Sequence, residues 1–194
     1  MDSKKLFQAA TFAAQKHTGQ FRKGSAHVPY INHPLQVADL LAHKGEAENT
    51  NLLIAALLHD VIEDTQTQPD EIEQMFGKEV LDIVLEVSDD KNLPKEIRKQ
   101  KQIEKAAHLS PSAQKLKIAD KICNLKDIIE VAPNWPLWRK LDYYTWAENV
   151  VGQMKGKHPV LEGLFYERLA QGREVLLTRK KRSPWFKGWG NLWG

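Results

Sequence analysis

The chain is organised around Leu52-Leu53-Ile54-Ala55-Ala56-Leu57-Leu58-His59-Asp60, followed by Val61-Ile62-Glu63-Asp64. Seven uncharged apolar residues run unbroken into a histidine and an aspartate, and two more carboxylates follow. Seven is too few to cross a bilayer, so the run reads as a helix that is apolar on every side and buried on every side, expected over Asn49–Ile62. Four ionisable side chains at the end of such a helix need a metal, charged partners or water to compensate them. The same stretch therefore predicts both the centre of the core and the place where chemistry sits.

Outward from it, every segment with a clear period reads as helix. Towards the N-terminus, Leu6, Ala10, Ala13, Ala14 and His17 recur at helical spacing over residues 4–17, with Ser3 as the expected N-cap. Thr18–Asn32 carries glycines, Pro29 and the pair Arg22-Lys23; it reads as a loop with room for a short extended excursion. His33-Pro34 opens the next helix, with proline in the first turn, and the helix should end near His43–Gly45. Towards the C-terminus, Thr67 is the expected cap of a helix with Asp70 as the capping-box carboxylate and Ile72, Met75 and Phe76 on one face. Gly77 interrupts, Glu79–Val87 continues, and Ser88–Pro94 makes a polar junction. A charged helix follows over Lys95–Ala107. Ser110-Pro111 starts the next, with Leu116, Ala119, Ile122, Cys123 and Leu125 apolar, and helices over Trp138–Met154 and Pro159 to Leu177 complete the set. No strand pattern, internal repeat or glycine-rich phosphate loop is present, so the expected fold is all-α.

The 194 residues fit one domain, expected over 1–178 with a C-terminal tail over 179–194. The formal charge of +3 is concentrated in that tail, where Arg179, Lys180, Lys181, Arg182 and Lys187 meet no acidic residue; residues 1–178 carry −2. The body is thus not a nucleic-acid binder by charge. The lone Cys123 excludes an internal disulfide and suits a reducing compartment, and with no leader and no membrane span the expectation is a cytoplasmic protein. The tail places Trp185, Trp189 and Trp193 four residues apart, but Pro184, Gly188 and Gly190 argue against a helix. Either a loose extension or a contact surface for a membrane, a partner or a second copy fits that composition.

Three elements supply four candidate metal ligands: His33 at the entry to the second helix, His59 and Asp60 on the central one, and Asp120 on the helix starting at Ser110. Imidazole with carboxylate suits a borderline divalent ion such as Mn²⁺, Fe²⁺ or Zn²⁺ better than calcium. If the central helix persists, Glu63 and Asp64 share a face with His59 and Asp60 and are placed to orient a water or move a proton. Asn124 and Asp127 follow Asp120 by four and seven, which makes a polar stripe on one helix face. Arg22, Lys23, Lys91 and Arg139 are candidates to neutralise phosphates or stack on a base. Tyr143 and Tyr144, on a helix with Trp146, read as core or boundary residues.

Taken as ordered blocks, Arg22-Lys23, Pro29-Tyr30-Ile31-Asn32-His33-Pro34, His59-Asp60-Val61-Ile62-Glu63-Asp64 and Lys117-Ile118-Ala119-Asp120-Lys121-Ile122-Cys123-Asn124-Leu125 resemble the HD-domain hydrolases of guanosine tetra- and pentaphosphate. These are the hydrolase domain of the SpoT/Rel proteins and its stand-alone small relatives. Asp89-Asp90-Lys91-Asn92-Leu93-Pro94 and the stretch from Arg139 to Trp146 are most similar to the short metazoan type. The resemblance implies an HD-domain helical bundle, a manganese ion held by His33, His59, Asp60 and Asp120, and Glu63 and Asp64 as the catalytic pair. It also implies substrate binding by Arg22 on the guanine, Lys23 in the same loop, Asn124 near the ribose and 3′ phosphates, and Lys91, Arg139 and Tyr143 along the pocket. The implied reaction removes the 3′-diphosphate as pyrophosphate. Cys123 departs from the histidine or tyrosine common at that place, a change expected to be tolerated. The length leaves no room for a synthetase or regulatory domain. Two other readings stay open: a phosphatase acting on another 2′- or 3′-phosphorylated nucleotide or on nucleoside monophosphates, and an inactive nucleotide-sensing module. In every case the expected partner is a small-molecule nucleotide, with no nucleic acid, with homo-oligomerisation open and with the tail's partner unknown.

Overall fold

All seven residues from Leu52 to Leu58 are buried, on every face of a helix, α3 (Thr50–Leu58), capped by the Asn49 side chain. The computed structural model describes residues 2–24, 27–44 and 49–182. Before α3 come α1 (Ser3–Lys16) and α2 (Asn32–Lys44); after it come α4 (Val61–Asp64), α5 (Pro69–Phe76), α6 (Lys78–Val87), α7 (Lys95–Ala106), α8 (Pro111–Glu130), α9 (Leu137–Gly152) and α10 (Pro159–Arg182). Among the described residues there is no strand. A single bridge between Phe21 and Pro29 pins the α1–α2 loop, which is the short extended excursion that the sequence allows.

α3 packs against α1, α2, α6 and α8, so its apolar surface is covered from four sides. The second long buried element is α8, whose Leu116, Ile118, Ala119, Ile122, Cys123, Leu125 and Ile128 meet α2, α6, α9 and α10. α7 packs on α9, and residues of both line one cavity with His33 at the start of α2 and His59 after α3. Two apolar helices packed face to face thus bring the start of α2, the end of α3 and the middle of α8 to one place.

Several local expectations are corrected. The central helix does not persist to Ile62: α3 ends at Leu58, and Asp60 turns to φ −101°, ψ −6° before α4. The His59 ring lies 2.8 Å from the Ala56 carbonyl, the acceptor that a continuing helix would offer to the Asp60 amide. α1 is capped by Asp2, whose Oδ1 accepts the Lys5 N–H, and not by Ser3. α5 is capped one residue later than expected, by Gln68 with Glu71 completing the capping box, because the Thr67 hydroxyl turns inward to Thr65. Of the three apolar residues assigned to that helix's inner face, Ile72 and Phe76 are buried and Met75 is exposed. α10 runs through Arg182, past the expected end at Leu177, and the tryptophans of the tail lie outside the described residues.

Gly77, at φ +94°, is the left-handed joint that ends α5 and starts α6. Gly172 serves close approach instead: a Cβ there would overlap the hydroxyl and ring carbons of the fully buried Tyr144, whose hydroxyl donates to the Leu125 carbonyl at 2.9 Å. Gly172→Ala is therefore expected to destabilise the α8–α9–α10 packing by about 1–3 kcal/mol. A urea midpoint equal to wild type would refute that reading of the glycine.

Candidate active site

His33 stands in the first turn of α2, His59 and Asp60 at the break after α3, and Asp120 midway along α8. One ligand atom from each of His33, His59 and Asp60 fits within 4.8 Å of the others, and both histidines are buried. His33 Nε2 lies 3.1 Å from Asp120 Oδ1 and 3.9 Å from Asp60 Oδ2. His59 Nε2 lies 3.1 Å from Asp60 Oδ2 and 3.9 Å from Asp120 Oδ1. The four side chains proposed from sequence thus come together, although Asp120 arrives from a helix sixty residues away in the chain.

The donor set fits a divalent cation. A carbonyl only accepts, so His59 Nδ1 carries the proton shared with Ala56, and Nε2 is left as the lone-pair nitrogen. That Nε2 is buried and has no hydrogen-bond partner among the described residues. Burial opposes its protonation, but Asp60 and Asp120 outweigh burial and raise His59 to about 9. Burial likewise opposes ionisation of Asp60 and Asp120, yet His59 holds the first below the usual carboxylate range and Lys121 with His33 the second. Two imidazoles and a carboxylate converging in this way, with the Asp120 carboxylate beside them, are a donor set that suits a divalent cation.

Glu63 and Asp64, on the single turn of α4, flank the ligands. Glu63 accepts the Asp89 N–H at 3.2 Å and approaches Lys91 at 3.3 Å and Arg98 at 3.6 Å. Burial, then Asp60 and Asp89, raise its pKa above the ordinary glutamate value. Asp64 accepts from Lys91 at 2.7 Å and from the Tyr30 hydroxyl at 3.1 Å. The single proton of that hydroxyl is shared with Asp60 Oδ2 at 2.7 Å, the shorter of the two contacts, so Tyr30 ties Asp60 to its acidic neighbour. Tyr30→Phe is expected to lower metal affinity or turnover about 10- to 100-fold, as loss of a ligand's outer partner does elsewhere. A Mn²⁺ titration indistinguishable from wild type, with turnover also unchanged, would exclude that role.

These groups open into a cavity of about 350 Å³, which shares Arg22, Lys23, Tyr30, Asp64, Asn124, Trp135 and Tyr143 with an adjoining, more apolar lobe of about 280 Å³. Arg22 is fixed by Asp127 at 2.7 Å and Asn124 at 2.6 Å, with its guanidinium 5.3 Å from the Tyr30 ring centroid. Asn124 in turn donates to Asp120 Oδ1 at 2.5 Å, so the stripe of 120, 124 and 127 on α8 joins Asp120 to the arginine. Arg139 stacks on Trp135 at 4.4 Å, and Tyr143 lies between Trp135 and Trp146. Burial and the proximity of Arg139, Lys91 and Lys95 lower the Lys23 pKa, against the opposing pull of Asp64, and all four cations line the larger cavity. Tyr144, by contrast, is wholly core.

Sequence reasoning missed Tyr30, Lys121 and the inner face of α7. Lys121 is buried, holds Asp120 Oδ2 at 2.9 Å and stands 4.5 Å over the Trp146 ring. Lys95, Arg98, Lys99 and Gln102 line the larger cavity from α7. Their i, i+3, i+4 and i+7 spacing was readable, but so was the same period for the other charges of that helix.

Comparisons with known proteins bear on this geometry. The family model described as HD domain matches residues 9–137. Guanosine-3′,5′-bis(diphosphate) 3′-pyrophosphohydrolase MESH1 of Xenopus tropicalis is 48% identical over 163 residues, 84% of this chain and 91% of that protein. The protein of the same name from Homo sapiens is 46% identical over 162 residues, 83% and 90% of the two chains. The solved structure of a metazoan ortholog of SpoT, which hydrolyzes ppGpp and plays a role in starvation responses, aligns with a TM-score of 0.85 at 39% identity, over 88% of this chain and 97% of that one.

Proposed function

The chain belongs to the HD domain family, and from that premise we propose that it hydrolyses guanosine 3′,5′-bis(diphosphate), and the corresponding pentaphosphate, to GDP or GTP and pyrophosphate. The observation that carries the reading is the convergence of His33, His59 and Asp60 within 4.8 Å. Their cavity is also lined by nine lysine and arginine side chains, a charge balance suited to a nucleotide with two phosphate chains. The relatives named above act on that substrate, and they match this chain over most of its length. We assign the catalytic unit to residues 1–178, with α10 carried on through Arg182 into the basic, tryptophan-rich stretch, and we place the protein in the cytoplasm.

His33, His59, Asp60 and Asp120 would hold the cation, which we assign as Mn²⁺. When bound, it polarises a phosphoryl oxygen and acidifies a water. The chain's own groups divide the rest. Glu63 and Asp64 take the proton of the attacking water as its oxygen bonds to the phosphorus nearest the ribose, and return one to the 3′ oxygen as that P–O bond breaks. Tyr30 and Lys91 hold Asp64 in place for this. Arg22, braced by Asp127 and Asn124, borders the apolar lobe with Tyr143, where the guanine would lie. Lys23, Lys91 and Arg139 receive the 5′ phosphates at the mouth.

Product analysis tests this. Guanosine tetraphosphate incubated with purified protein and Mn²⁺ should yield GDP and pyrophosphate, with metal near one equivalent per chain. Orthophosphate as the product, or a metal-replete protein without turnover, would overturn the assignment.

A further inference from the structure

The cavity has a direction. The metal-ligating residues and Glu63 line only its larger part, the apolar lobe adjoins it through Arg22, Asn124 and Tyr143, and Arg98 on α7 lines the larger part alone. A nucleoside seated in the lobe with its 3′ phosphorus at the ligands therefore projects the outer phosphoryl group away from the lobe, towards α7.

Arg98 is the half-buried cation on that wall with donors to spare, whereas Lys95, also on α7, is exposed and has solvent for its donors. Its guanidinium is mostly covered, at 22% side-chain exposure, yet its one ion pair among the described residues is the 3.6 Å approach to Glu63 Oε1. Its Nε is buried without a hydrogen-bond partner. Four other lysines of that lining are more fully engaged: Lys91 with Asp64, Lys99 with Asp142, Lys117 with the Val87 carbonyl and Lys121 with Asp120. A buried guanidinium donor left unsatisfied is unfavourable, and an anion in the cavity would satisfy it.

Resting on the hydrolase reading above, we propose that Arg98 is a catalytic residue that binds the outer phosphoryl group of the 3′-diphosphate, and so selects a 3′-diphosphate over a 3′-monophosphate. During hydrolysis the water oxygen joins the inner phosphorus, the bond to the ribose 3′ oxygen breaks, and that oxygen takes up a proton. The resulting pyrophosphate keeps both phosphorus atoms and stays charge-paired to the Arg98 fork until release.

The test compares wild type with Arg98→Met and Arg98→Lys, after wild type has been shown to release pyrophosphate. Inorganic pyrophosphate and, separately, orthophosphate are titrated into each protein by calorimetry at fixed free Mn²⁺. Arg98→Met should bind pyrophosphate about 10- to 100-fold more weakly, the range for losing a charge-assisted hydrogen bond, with orthophosphate binding and metal stoichiometry unchanged. Arg98→Lys keeps the charge without the fork; it should lose less, and it carries the comparison should the methionine variant not fold. Unchanged pyrophosphate affinity, even with reduced turnover, would overturn the proposal and leave Arg98 as a support for Glu63. Equal weakening of both anions would overturn it too, as a general field effect. Wild type releasing orthophosphate would instead remove the hydrolase reading on which the inference rests.

Discussion

His59→Ala is expected to leave a chain that takes up no divalent cation and turns over substrate at least about 10³-fold more slowly, the scale of several kcal/mol of metal-derived stabilisation. The argument starts from the break after α3. The ring cannot swing aside, because it is buried and its Nδ1 is bound to the Ala56 carbonyl. Its free nitrogen is therefore aimed at Asp60 and Asp120, whereas the Nε2 of His33 is already engaged by Asp120. The thermal readout separates lost metal from lost fold. Saturating Mn²⁺ should stabilise wild type by about 2.7 kcal/mol at a hundred times its dissociation constant. The variant should melt at the same temperature with and without the ion. His59→Gln, which fills more of the space, guards against simple collapse. A metal-dependent shift that survives in both variants would mean that the cation, if bound, sits elsewhere.

The legibility of this site in the sequence follows from what helical pitch can and cannot report. Leu52 to Leu58 announces burial because an all-apolar turn has no face to give to water. The stripe of Asp120, Asn124 and Asp127 is equally plain, since spacings of four and seven are fixed by pitch whatever the tertiary structure, and the three residues share one network. The break at His59–Asp60 is of another kind. It depends on which donor takes the Ala56 carbonyl, and a buried ring wins it from the backbone. The cap of α5 turned on a similar competition, between a Thr67 hydroxyl free to cap and one held by Thr65. The facing of Arg98 is written in no period of the sequence. α7 carries charge on every side, and only its packing on α9 decides which cations face the cavity. Tyr30 sits in a loop, where no period exists to be read at all.

Glu63→Gln separates proton handling from metal binding. Glutamine keeps the shape and an acceptor for the Asp89 N–H but gives up proton transfer, so turnover should fall about 10²- to 10⁴-fold while metal content stays at the wild-type level. The variant should also be no less stable than wild type at neutral pH, and the sign follows from linkage. Burial is the largest of the causes that raise the Glu63 pKa in the folded protein, ahead of Asp60 and Asp89. A carboxyl whose folded pKa lies above its unfolded value favours folding least once pH has passed both, because the folded state is then the poorer host for its charge. Removing the charge relieves that penalty, so the melting temperature at pH 7 should hold or rise even as turnover collapses. The comparison is made on metal-free protein, since a divalent cation beside Glu63 would itself favour the carboxylate. Should Glu63→Gln or Glu63→Ala keep full turnover and shed manganese instead, Glu63 would be a ligand, and the proton would have to travel through Asp64.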